Sequence, residues 1–133
     1  VLTRAMRTRN TVLAVIGAGT LVLKTSYAGP FDETVHAYAG NFAVSFALYF
    51  AVVSSTHRYR HPCLGAALIV LLAVTAFEVS DGFGFMANVY DPVDLLANAA
   101  GVGFAIVVDL VSARFMSGEA LRGSGGHLNR ASH

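Results

Sequence analysis

Charge is scarce in this sequence. Asp, Glu, Lys and Arg make up 13% of its 133 residues, against about 25% in an ordinary soluble domain. So little polar surface could not cover a water-facing globule with an apolar core of this size. Cysteine is scarcer: Cys63 stands alone, which excludes an intramolecular disulfide and a cysteine-based zinc site. Its plain reading is a small apolar residue at a helix start. No basic stripe is dense enough for nucleic acid, and a net charge of +1 adds nothing in that direction. Internal repeats, a P-loop and a dinucleotide fingerprint are all lacking. Gly17-Ala18-Gly19 sits within an apolar stretch, where small residues allow helices to approach closely.

What remains is apolar. Hydrophobic residues are 55% of the chain and mean hydropathy is +0.59. They gather in four runs, near 11–28, 35–54, 63–79 and 93–113, each close to the ~17–25 residues that cross a hydrocarbon core as a helix. The expected fold is all-α: a polytopic bundle of four transmembrane helices over 11–113, with a basic segment at 1–10 and a tail at 114–133. The tail's Gly, Ser and Arg content predicts disorder. A rival reading of the first run is a cleaved signal peptide, with Ser26-Tyr27-Ala28 before Gly29 as the cleavage site.

All eight arginines precede the first run, fill the second loop or follow the fourth run; only Lys24 falls towards the other side. The positive-inside rule then puts both termini in the cytoplasm of a multi-pass plasma-membrane protein. Asp32, Glu33, Glu78, Asp81, Asp91 and Asp94 gather at the opposite boundary, with Asp109 and Glu119 on the inner half. Acids do little to set topology, so this asymmetry needs its own cause.

The fourth run opens Asp91-Pro92-Val93-Asp94. Asp91 is placed as an N-cap, with Pro92 at the first helical position and Asp94 in the first turn. Capping does not explain Asn98. Asp94, Asn98, Gly101 and Ala105 recur at helical spacing and form one stripe, polar outside and small-residue deeper in. Such a stripe belongs against other helices, because an unsatisfied amide in lipid is costly. Glu78 and Asp81 share a face at the end of the third run, and an ionisable group at that depth is a functional candidate. In the second run Tyr38, Asn41, Ser45 and Tyr49 form a polar seam suited to helix–helix hydrogen bonds. His36 lies at the same depth as Glu78, Asp81 and Asp94. The candidate ligand-binding set is therefore His36, Glu78, Asp81, Asp94 and Asn98; Gly101, Ala105, Asn41 and Ser45 are packing candidates.

These residues resemble the VanZ-like family of small membrane proteins. Asp32 and His36 match an Asp and a following His at the second helix. Glu78-Val79-Ser80-Asp81 stands where the family shows Glu-x-x-Gln, and Asp94, Asn98 and Gly101 match its Asp-x-x-x-Asn-x-x-Gly. The resemblance covers Asp32 to about Phe104. It implies a four-helix membrane fold and, from the family's association with teicoplanin resistance, a role at the cell envelope. Asp81 replaces the usual Gln, and the arginine common before the fourth helix is missing. The cluster is more acidic for it, so a divalent cation, a cationic ligand or protonation must balance it.

The expected function is a non-enzymatic membrane protein with no cofactor, beyond a divalent cation the acids would accept. Its outward acidic pocket would engage a lipid, a cell-envelope precursor or an antibiotic. Two alternatives stay open. One is a structural or assembly subunit, as a homo-oligomer or within a membrane complex. The other is a metal-dependent hydrolase of a lipid-linked substrate. The bilayer is an expected partner; nucleic acid is not.

Overall fold

The computed structural model describes residues 3–56, 61–80 and 91–128, with side chains as far as 116. Among these residues every regular element is helical: α1 (Arg4–Leu23) with a 3-10 turn (Lys24–Ser26), α2 (Asp32–Thr56), α3 (Pro62–Val79) and α4 (Pro92–Leu128).

Local chemistry sets the helix ends. Thr3 Oγ1 accepts from Met6 N at 3.3 Å to cap α1. Pro62 opens α3 and Pro92 opens α4, where its fixed φ suits the first turn and no amide hydrogen is needed. Asp91 Oδ1 accepts from Val93 N at 2.9 Å, the cap expected from its position. Thr56 Oγ1 reaches Pro62 O at 3.2 Å and ties the end of α2 to the start of α3. Phe31, just before α2, is held at φ 64°, a left-handed conformation that costs an aromatic residue about 1 kcal/mol or more.

Three helices are long and apolar enough to cross a membrane: α2, α3 and Pro92–Met116 of α4. This supports a membrane protein. α1 is not among the three, because its first two turns carry Arg4, Arg7, Thr8, Arg9 and Asn10. It also starts earlier and stops sooner than the first apolar run. At the other end α4 is helical through Leu128, where disorder was expected from 114 onward. Ala113-Arg114-Phe115-Met116 and Glu119-Ala120-Leu121-Arg122 are strong helix formers without proline, and they carry the helix past its apolar stretch.

α2 is the centre of the bundle. α1 lies against α2 and its backbone approaches neither α3 nor α4; α3 and α4 pack on α2 and on each other. The core joins Phe46, Tyr49, Phe50 and Val53 of α2 to Ala66, Val70 and Val74 of α3 and to Val102 and Ala105 of α4. The outer surface is apolar as well: Val15, Val22, Leu64, Leu72, Leu96 and Phe115 are each more than 60% exposed. An exterior of that kind suits hydrocarbon rather than water.

Glycine sets two of the close approaches. A Cβ on Gly101 would lie 2.4 Å from Phe42 O, and one on Gly17 would lie 2.9 Å from Ala47 Cβ. Gly101 therefore lets α4 touch the α2 backbone, and Gly17 lets α1 do so from another side.

Candidate functional site: a polar seam between α2 and α4

α2 and α4 run parallel, and their polar residues face each other in register. Tyr38 Oη donates to Asp91 Oδ2 at 3.2 Å. Asn41 adjoins Asp94. Ser45 Oγ donates to Asn98 Oδ1 at 2.7 Å in a buried bond. Deeper, Ala105 is fully buried, and Tyr49 Oη donates to Asp109 Oδ2 at 3.0 Å. The α2 seam and the α4 stripe seen in the sequence are thus two sides of one contact. Asn41, Ser45, Gly101 and Ala105 all lie along it.

At its loop end, where α3 finishes and α4 begins, Glu78 joins from α3. Its carboxylate lies next to the Asn98 amide and within electrostatic reach of Asp94. Glu78, Asp94 and Asn98 are therefore brought together, with Asn98 only 3% exposed. Among the described residues neither Glu78 nor Asp94 makes an ion pair. Asn98 Nδ2 is the one buried side-chain nitrogen or oxygen among them with no hydrogen-bond partner.

His36 does not join this group. Its Nε2 lies 2.8 Å from Asp32 Oδ1 and 3.0 Å from Tyr27 O, and Lys24 Nζ donates to its carbonyl at 3.1 Å. Both ring contacts are acceptors, so Nε2 carries a hydrogen. His36 shares the depth of Glu78 and Asp94, but at 100° per residue it projects from another side of α2 than Asn41 and Ser45. Asp81 lies outside the described residues.

The other end of the seam holds a network that the sequence reading did not assemble. Asp109, 5% exposed, accepts from Arg9 Nη2 at 2.5 Å, from Tyr49 Oη, and from Cys63 Sγ at 3.3 Å. Arg9 also donates to Ser112 Oγ at 2.9 Å and to Asn10 Oδ1 through Nε and Nη2 at 3.0 and 2.7 Å. Asn10 Nδ2 closes the chain on Ser54 Oγ at 3.1 Å. All four helices contribute, and α1 reaches α4 through Arg9. A cavity of about 110 Å³ borders Met6, Val53, Pro62, Cys63 and Leu110 beside this network. The signal for it was present: Asp109 is one turn beyond Ala105, on the stripe that begins at Asp94. A buried acid on a helix stripe needs a cation, and Arg9 lies at the matching end of α1.

Several serine hydroxyls along these helices are committed. Ser54, Ser80 and Ser112 donate to carbonyls of the preceding turn, and Ser45 donates to Asn98. Among the described residues no group of three or more His, Cys, Asp or Glu side chains stands together to hold a metal ion. The arrangement defines a helical bundle with membrane-length spans and two buried polar centres. No family model, no curated protein and no solved structure matches the chain.

Proposed function

We propose that the chain is a VanZ-like, multi-pass protein of the plasma membrane whose loop-end cluster binds the cationic group of a cell-envelope molecule without transforming it. α1 would be the fourth span, with Arg4 and Arg7 at the headgroup level and its apolar remainder through Leu23 in the hydrocarbon. The arginines at the terminal end favour a cytoplasmic location for that end, which turns Glu78, Asp94 and Asn98 outward.

The observation that carries this reading is the unbonded Asn98 Nδ2 between Ser45 and two unpaired carboxylates. Buried polar groups are normally satisfied, and two acids sharing one place favour a cation between them. An amine would donate to Glu78 and Asp94, while an oxygen beside it on the ligand would accept from Asn98. The bonded serines favour binding over turnover: Ser45, Ser54, Ser80 and Ser112 donate to an amide oxygen or to backbone carbonyls rather than to a base.

The test is the thermal midpoint of the full chain in neutral detergent. The probes are phosphatidylethanolamine and teicoplanin, with phosphatidylcholine as the control. At a hundredfold excess over Kd, binding adds about 2.7 kcal/mol of stability. At least one of the two probes should raise the midpoint, and Glu78→Gln/Asp94→Asn should remove that rise. No rise with either probe contradicts the proposal.

A second reading, an assembly subunit, draws on Gly19 and Gly103. Nothing lies within 4 Å of a Cβ at either, which leaves small-residue surfaces free for another helix. Cross-linking in native membranes that traps only monomer contradicts it.

A further inference from the structure

A groove of about 430 Å³ runs between α1 and α2, lined by Thr11, Ala14, Ala18, Phe50 and Ala51 and reaching Asn10 and Ser54 of the terminal network at one end. Its sides are small or apolar over most of its length and turn polar at the terminal end. Beyond that end the same face of α1 continues in cationic residues. Arg4, Arg7, Thr11, Ala14 and Ala18 recur at helical spacing, and Thr11 Oγ1 donates to Arg7 O at 3.0 Å, which stacks Thr11 on the Arg7 turn. Arg4 and Arg7 are exposed. Among the residues whose side chains are described neither is in an ion pair, and Asp109 at this end is taken by Arg9.

We propose that this groove is a binding site for an anionic phospholipid, with an acyl chain lying along Ala14, Ala18 and Ala51 and the phosphate held by Arg4 and Arg7. The charge selects the lipid. Two exposed guanidiniums, without an ion-pair partner among the described side chains, present a forked set of donors that matches phosphate oxygens. A cationic site at the end of an interhelical groove is where an anionic headgroup with its chain in hydrocarbon is accommodated. The small side chains leave room for a methylene chain to pack between the helices. A zwitterionic lipid fits the groove equally well but brings an ammonium group next to the arginines. The site rests on α1 lying in the membrane and is independent of the amine site at the other end.

The experiment is lipid retention by the purified full chain, measured by native mass spectrometry from detergent with equal phosphatidylglycerol and phosphatidylcholine. Phosphatidylglycerol should be retained about tenfold over phosphatidylcholine at low salt, and this preference should shrink with added salt because the guanidiniums are exposed. Arg4→Gln/Arg7→Gln should bring the ratio close to one. Ala18→Phe, on the exposed wall of the groove, should lower retention of both lipids while Arg4 and Arg7 remain. Equal retention of the two lipids by the unaltered chain overturns the proposal. So does displacement of bound lipid by millimolar glycerol phosphate, which would make the site one for free phosphate. A lipid-free dimer that Ala18→Phe dissociates also overturns it, since the groove would then belong to a second copy.

Discussion

Asp109 at the terminal end of the bundle accepts hydrogen bonds from Arg9, Tyr49 and Cys63, while Asn98 at the loop end receives one from Ser45 and its Nδ2 has no acceptor at hydrogen-bond geometry, with the Glu78 carboxylate nearby. Both residues lie on the same face of α4, and both are more than nine-tenths buried. At Asp109 the charge is balanced inside the chain, by Arg9 of a helix whose backbone does not approach α4. At Asn98 two carboxylates stand nearby with no cation among the described residues. A closed network of this kind holds helices in place. An open one costs stability and persists where it has another use, since functional sites are where natural proteins accept such losses.

Substitutions at the two ends sharpen the contrast. The largest effect is expected for Asp109→Ala, which strands Arg9 in the bundle and should cost about 3–5 kcal/mol in unfolding from mixed micelles. Arg9→Met/Asp109→Leu should recover most of that loss, because a packed apolar pair replaces an ion pair at little cost. A loss below about 1 kcal/mol for Asp109→Ala would make the network no more than a surface contact. Gly101→Val comes next. Its Cβ would overlap the Phe42 carbonyl, so α4 must move off α2 at about 1–3 kcal/mol, with loss of the Ser45–Asn98 bond visible by hydrogen exchange.

A paired comparison of amides follows. Asn10→Leu breaks two partners and should cost about 1–3 kcal/mol, while Asn98→Leu loses only the Ser45 bond, should cost less, and should abolish the response to amine probes. Similar losses at both positions would erase the distinction. The smallest effect is expected for Cys63→Ser, under about 1 kcal/mol, because the hydroxyl can still donate to Asp109.

The sequence made the seam readable because helical spacing is linear. Tyr38, Asn41, Ser45 and Tyr49 on one helix and Asp94, Asn98, Gly101 and Ala105 on another each trace a stripe, and the stripes meet. Asp91 was readable as a cap for the same local reason. What composition could not supply was the pairing of stripes from different helices. Arg9 looked like a topology signal at the membrane edge, and Asp109 like an isolated inner acid, yet each is the other's partner across 100 residues. His36 misled because depth along a helix says nothing about the side from which a residue projects. The end of α4 was missed because a low-complexity look at 114–133 outweighed its helix formers. That Glu78 and Asp94 make no ion pair among the described residues could only come from coordinates.

The most direct measurement is the unfolding free energy of Glu78→Gln/Asp94→Asn beside that of Asp109→Ala, in the same micelles and without added ligand. If the loop-end acids are held together for a ligand, removing both charges leaves stability unchanged or raises it by relieving their repulsion, while Asp109→Ala is severely destabilised. A loss at the loop end as large as that at Asp109 would mean that Glu78 and Asp94 hold the fold together, and the binding role would fall.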